Sequence, residues 1–198
     1  MSGTWVVFSK SRRNRPKQID HGGTALPKIR DLPRHVDDCP FCIANQHLTP
    51  DVLFKTQNMR VVRNLYPAVS DLLLHSKIGD QNNDEAQVFL DQHPLNNEVP
   101  AVGFHEVVIE SPYHNAHLAY GSNADADAGT TNNNNKGRKR SQIQQMALEL
   151  LQCFVERGRE HRSHEEIEHT VFFKNHGPTA GASLVHPHSQ IVSTPVVP

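Results

Sequence analysis

His186-Pro187-His188-Ser189-Gln190 sets two imidazoles and a neutral amide at alternate positions near the end of a 198-residue chain. In an extended strand alternate side chains share a face, so this spacing predicts His186, His188 and Gln190 in a row on one surface. An imidazole can attack phosphorus, and a carboxamide beside it can donate hydrogen bonds to phosphoryl oxygens. Two surface histidines in a histidine-rich chain would be the plainer explanation, and the flanks argue against it. Phe172 and Phe173 open an apolar run that gives way to a small, polar stretch over residues 175–183. Small residues there let backbone amides approach a ligand, as phosphate-cradling loops do.

The rest of the composition narrows the function classes. Lys and Arg number 20 against 21 Asp and Glu, so no surface for a polyanion is implied and nucleic acid is not an expected partner. Histidine is the outlier at 14 residues. His75, His93, His161 and His164 fall in polar stretches and are expected to be solvated. No apolar run is long enough to span a bilayer, and no membrane partner is expected. The amino-terminal residues lack a hydrophobic signal core. Three cysteines and no Asn-x-Ser/Thr acceptor suit a reducing, cytoplasmic setting.

Along the chain α and β patterns alternate. Thr4-Trp5-Val6-Val7-Phe8-Ser9 reads as a strand, followed by a basic turn with Arg12, Arg13 and Arg15. Residues 20–38 and 76–100 read as irregular. Residues 59–63 and 170–174 read as short strands, and Gly103-Phe104-His105-Glu106-Val107-Val108-Ile109-Glu110 as the clearest one, stopped by Ser111-Pro112. Residues 121–138, with four consecutive asparagines, read as a disordered insertion. Ser141 with Gln144 reads as a capping box opening a helix that fades by Gly158 or soon after. Its apolar face is Ile143, Met146, Ala147, Leu150, Leu151 and Phe154, with Cys153 packed beside it. The resulting expectation is one domain of the α+β class over residues 1–198: an antiparallel sheet with a helix packed on one face.

Cys39-Pro40-Phe41-Cys42 is a knuckle that can hold zinc through two thiolates or form a redox disulfide. A redox motif usually opens a helix, and none is signalled here. Zinc needs two further ligands, for which His186 and His114 are candidates. Spacing alone does not choose among 14 histidines. Reduced loop thiols are the plain alternative.

Taken in order, these segments resemble the N-terminal half of the galactose-1-phosphate uridylyltransferases, a branch of the histidine-triad superfamily. Within it they look most like the plant-type ADP-glucose phosphorylase members. The resemblance rests on Trp5-Val6-Val7-Phe8-Ser9 with Arg12 and Arg15-Pro16, on the cysteine knuckle, and on Val62-Arg63-Asn64-Leu65-Tyr66-Pro67-Ala68. It continues through residues 103–112 with His114, and ends with Lys174-Asn175, Gly181-Ala182-Ser183 and the histidine motif.

The resemblance implies a histidine-triad-like half-barrel sheet and a nucleotidyltransferase acting on nucleoside diphosphate hexoses. His188 matches the nucleophile that takes the nucleotidyl group, and Gln190 the amide that supports the phosphoryl oxygens. Arg12 and Arg15 match basic residues near the phosphates, Asn64 a residue at the nucleoside, and Asn175, Gly181 and Ser183 phosphate-side contacts. Cys39, Cys42, His114 and His186 match ligands of a structural zinc ion. The implied partners are a nucleotide sugar, a sugar 1-phosphate or phosphate, and a second copy in a homodimer. The family's C-terminal half is absent from this chain. A zinc-stabilised nucleotide-binding half-domain without turnover is therefore the alternative. A nucleotide hydrolase ranks below both, because Gln190 stands where other triad proteins carry a proton-donating histidine.

Overall fold

The computed structural model describes residues 6–16, 31–71, 101–119, 121–122 and 134–197. Its centre is a six-stranded sheet. In chain order the strands are β1 (Val52–Lys55), β2 (Arg60–Arg63), β3 (Ser70–Asp71), β4 (Val102–Ile109), β7 (His169–Phe173) and β8 (His188–Thr194). The spatial order is β1-β2-β4-β8-β7, all antiparallel, with two-residue β3 pairing in parallel with the start of β4. A small hairpin pairs β5 (Ala116–His117) with β6 (Gly121–Ser122). One long helix, α1 (Asn134–Arg162), lies against one face. This is the expected α+β architecture.

β4 is the organising strand, since Gly103 to Ile109 are all buried and both faces are therefore covered. Register fixes which residues face where. Val62 pairs with Val107 and Val107 with Gln190, while Val61 pairs with Val108 and Val108 with Ser189. Val62, Val107 and Ile109 accordingly pack with Cys39, Phe41, Cys42 and Leu184. Val61, Val108 and Ile191 pack on the other side with Met146, Leu150 and Cys153 of α1. A fully buried aliphatic side chain of this kind stabilises by about 1.5–3 kcal/mol. Gly103 has φ +147°, and a Cβ there would collide with the Ser193 carbonyl across the β4–β8 pair. Only glycine lets the two backbones approach this closely.

Polar ties hold α1 in place. Glu149 accepts from the Thr56 hydroxyl at 2.5 Å, the Asn58 backbone N–H at 2.9 Å and the Asn58 amide at 2.8 Å, all at the β1–β2 turn. Arg157 donates two hydrogen bonds to Glu106 of β4, at 2.9 and 2.7 Å.

Several sequence expectations are corrected. Residues 6–9 form no strand, and Val6, Val7 and Phe8 are exposed. Strand propensity reflects packing against neighbours, and these residues have no sheet partner among the described residues. The helix does not open at Ser141 but at Asn134, so that box is internal. Extending an existing helix avoids the cost of nucleation, and the Lys and Arg residues over 136–140 are good helix formers. Its end at Arg162, soon after Gly158, is as expected. Of the stretch expected to be disordered, 121–122 pair in β6 and 134–138 are helical, and 123–133 lie outside the described residues. Leu151 is exposed rather than part of the buried face. His161 is fully buried rather than solvated, because Ser193 and Glu106 offer it partners at 2.8 and 2.9 Å. His75, His93, Thr4, Trp5 and the region 76–100 lie outside the described residues. Among the described residues, no helix is long and apolar enough to cross a membrane.

Candidate functional site

The cysteine knuckle turns back beneath the sheet and brings both thiols to the end of β4. Cys39, Cys42, His114 and His186, all buried, present ligand atoms within 4.8 Å of one another, a grouping able to hold a metal ion. Nδ1 of His186 is 3.7 Å from Cys39 Sγ and 3.8 Å from Cys42 Sγ, and Nδ1 of His114 is 3.7 Å from Cys42 Sγ. The opposite nitrogen of His186, Nε2, is 2.9 Å from the Ser111 carbonyl. That carbonyl can only accept, so Nε2 carries the proton and Nδ1 faces the thiols with its lone pair, as a metal ligand must. Burial pushes the Cys39 thiol up to about 12. Thiolates here therefore need positive charge nearby. The buried Arg60 guanidinium, which donates to the Phe41 carbonyl at 3.0 Å, supplies one such charge.

His186 departs from the expected row of three. β8 begins only at His188, so His186 sits in the bend before the strand and faces the thiols. His188 and Gln190 do share a face, and both line a cavity of about 450 Å³. Nδ1 of His188 lies 2.9 Å from the His186 carbonyl and so donates to it. The lone pair is left on Nε2. Burial holds this imidazole below its ordinary pKa, which keeps it neutral.

The other residues singled out in the sequence meet at the same cavity. Arg12 and Arg15 approach it from a 3-10 turn at Ser11–Asn14, and Asn64 from the end of β2. Asn175, Gly181 and Ser183 line it from the β7–β8 connection. Gly181 has φ +76° with open space where a Cβ would stand, so backbone conformation is what favours glycine there. Burial, then the neighbouring Arg15 charge, lower the Arg12 pKa. An anion in the cavity would relieve both penalties. Arg12 also reaches the Tyr66 carbonyl at 3.4 Å.

Two supporting residues escaped the sequence reading as site residues. His105 on β4 contacts Gln190 and Asn64. Its signal was available, since it alternates with Val107 and Ile109 on one face. Glu110, fully buried, accepts from both Lys174 and Ser189, at 2.6 and 2.5 Å, directly behind the histidine strand. A carboxylate ending an apolar run gave no hint of those distant partners.

The family model for the galactose-1-phosphate uridyl transferase N-terminal domain matches residues 1–198. The chain belongs to that family. It is 29% identical over 204 residues to an ADP-glucose phosphorylase of Arabidopsis thaliana, covering 100% of this chain and 48% of that protein. A shorter match joins it to a galactose-1-phosphate uridylyltransferase of Thermotoga maritima, 39% identical over 49 residues, 25% of this chain and 15% of that one. Among solved structures, an A. thaliana ADP-glucose phosphorylase with bound ADP-glucose superposes with TM-score 0.54 at 28% identity, covering 98% of this chain and 47% of that one. The chain thus spans about half the length of the A. thaliana relative.

Proposed function

We propose that this chain carries the nucleotidyl-transfer centre of an enzyme acting on nucleoside diphosphate hexoses. The observation that carries the reading is the tautomer of His188. Its Nδ1–H is engaged by the His186 carbonyl, so the nucleophilic lone pair sits on Nε2 in a cavity whose lining includes Arg12, Arg15 and Arg63. In the first half-reaction Nε2 bonds to the α-phosphorus, and the bond from that phosphorus to the bridging oxygen breaks. The sugar 1-phosphate departs with that oxygen. In the second, a phosphate oxygen of the acceptor attacks the same phosphorus and the phosphorus–nitrogen bond breaks, restoring the neutral imidazole.

Arg12 and Arg15 neutralise the diphosphate, Asn64 contacts the nucleoside, and Asn175, Gly181 and Ser183 border the phosphates. Gln190 donates to the phosphoryl oxygens in both half-reactions. Unlike a histidine, it cannot protonate a leaving group, which favours transfer over hydrolysis. Cys39, Cys42, His114 and His186 suit structural zinc: tetrahedral zinc sets sulfur and nitrogen ligands about 3.6 Å apart, close to the spacings above. A bound ion would lock the knuckle to the bend before β8 and so fix His188.

The A. thaliana relative favours an adenine nucleotide and phosphate as the pair, with a uridine nucleotide and hexose 1-phosphate as the other. Isotope exchange tests the reading. Labelled glucose 1-phosphate should enter ADP-glucose or UDP-glucose with no second acceptor present. No exchange with either nucleotide sugar would refute it. The alternative reading is a half-domain that binds nucleotide in this same cavity without turnover. Nucleotide-dependent thermal protection without exchange would establish that one.

A further inference from the structure

The carboxamide of Gln190 has two ends of nearly the same shape and opposite hydrogen bonding. Only its NH2 end can donate to a phosphoryl oxygen, and its carbonyl end would repel one. Shape does not choose between them, so a neighbour has to. That neighbour is His105. β4 sets Val107 across from Gln190, and His105 lies two residues before Val107 on the same face.

Polarity along this contact can be traced from the backbone. The Ala68 N–H reaches Nδ1 of His105 at 2.8 Å. A backbone amide only donates, so Nδ1 holds a lone pair. Burial depresses this ring to a pKa of about 4, so it is neutral near pH 7. A neutral ring with its lone pair on Nδ1 carries its proton on Nε2. That Nε2 lies 3.0 Å from Oε1 of Gln190. Asn64 Nδ2 is also 3.0 Å from it, while Asn64 Oδ1 is held by the Tyr66 N–H at 2.8 Å. With Nε2 protonated, it and the Asn64 nitrogen are both donors, so the hydrogen bond from Nε2 goes to the Gln190 carbonyl.

We propose that His105 is a positioning residue: its Nε2–H holds the Gln190 carbonyl against the sheet and turns the Gln190 NH2 into the cavity. The kinetic consequence rests on the transferase reading, whereas the tautomer rests on the hydrogen-bond geometry and the neutrality of the buried ring. The direction of donation runs from Ala68 through His105 to Gln190, and Gln190 enters the reaction already oriented.

Two measurements test this. In a long-range 1H–15N spectrum of the labelled chain near pH 7, with His105 assigned by its loss in His105→Gln, the ring should be protonated on Nε2 and bare on Nδ1. An Nδ1–H tautomer, or a doubly protonated ring, overturns the proposal with or without turnover. The second is the rate of nucleotidyl adduct formation on His188 with ADP-glucose and UDP-glucose. His105→Gln places an amide N–H near the Nε2 position and should keep the rate within a small factor. His105→Glu offers only acceptors, and His105→Leu offers nothing. Both should slow the step by about a hundredfold to a thousandfold, the scale of one lost donor at developing charge, with nucleotide affinity little changed. Equal losses in the Gln and Glu variants, at equal thermal stability, would overturn it. A wild-type chain that forms no adduct refutes the transferase reading instead, and the tautomer then decides this proposal.

Discussion

Nε2 of His186 lies 2.9 Å from the carbonyl oxygen of Ser111, and this contact decides which ring nitrogen faces Cys39 and Cys42. Ser111 stands just past β4, so the end of the central strand dictates the ligand geometry of a residue 75 positions away.

If the four ligands hold zinc, the purified chain should contain close to one zinc per molecule by elemental analysis. Chelation or Cys42→Ser should lower unfolding free energy by several kcal/mol, because metal binding energy is folding energy. Unchanged thermal stability after complete chelation would contradict a structural metal.

Acid should destabilise the chain through His105. Its folded pKa of about 4 lies below the ordinary value of 6.5, so between those values the unfolded chain binds more protons. Stability therefore rises with pH through this window and is lost on acidification. From pH 7 to pH 5 one such group accounts for about 2 kcal/mol. Urea unfolding at both pH values should show a drop that shrinks by about that amount in His105→Gln, with metal loading held equal. An identical drop in both proteins would remove His105 as its source.

Arg157 and Glu106 form a partly buried pair, with side chains 15% and 3% exposed and an N–O distance of 2.7 Å. Removing one partner strands the other's charge. Arg157→Met should cost about 3–5 kcal/mol by denaturant titration. A loss below about 1 kcal/mol would mean that His161 alone satisfies Glu106.

Gly103→Ala should cost at least about 2 kcal/mol, because an L side chain resists this φ and meets the Ser193 backbone. A near-neutral result would show that β4 and β8 separate easily at this point.

Much of the site was legible because it is built from short local signals. The cysteine spacing, the alternation of His188 and Gln190, and the small residues before them are all written within a few positions. The choice of His114 and His186 from among the histidines, and the role of the basic turn, came from resemblance, since chain distance hides their convergence. Burial was harder to see. His161 sits in a run of charged residues that looks solvated, yet it lies against Phe104 at a ring separation of 4.7 Å. Val6-Val7-Phe8 has strand composition, and no neighbouring strand receives it among the described residues. The helix start was misplaced because Ser141 carries a capping pattern whose use depends on whether a helix already exists upstream.

The central claim is that His188 is a nucleophile toward phosphorus. The most direct measurement is the intact mass of the chain after incubation with ADP-glucose or with UDP-glucose, followed by peptide mapping. The account predicts a gain equal to one nucleoside monophosphate less water, located on His188 and absent in His188→Gly. No gain from either nucleotide sugar on the folded, metal-loaded chain, or a gain that survives His188→Gly, would contradict it.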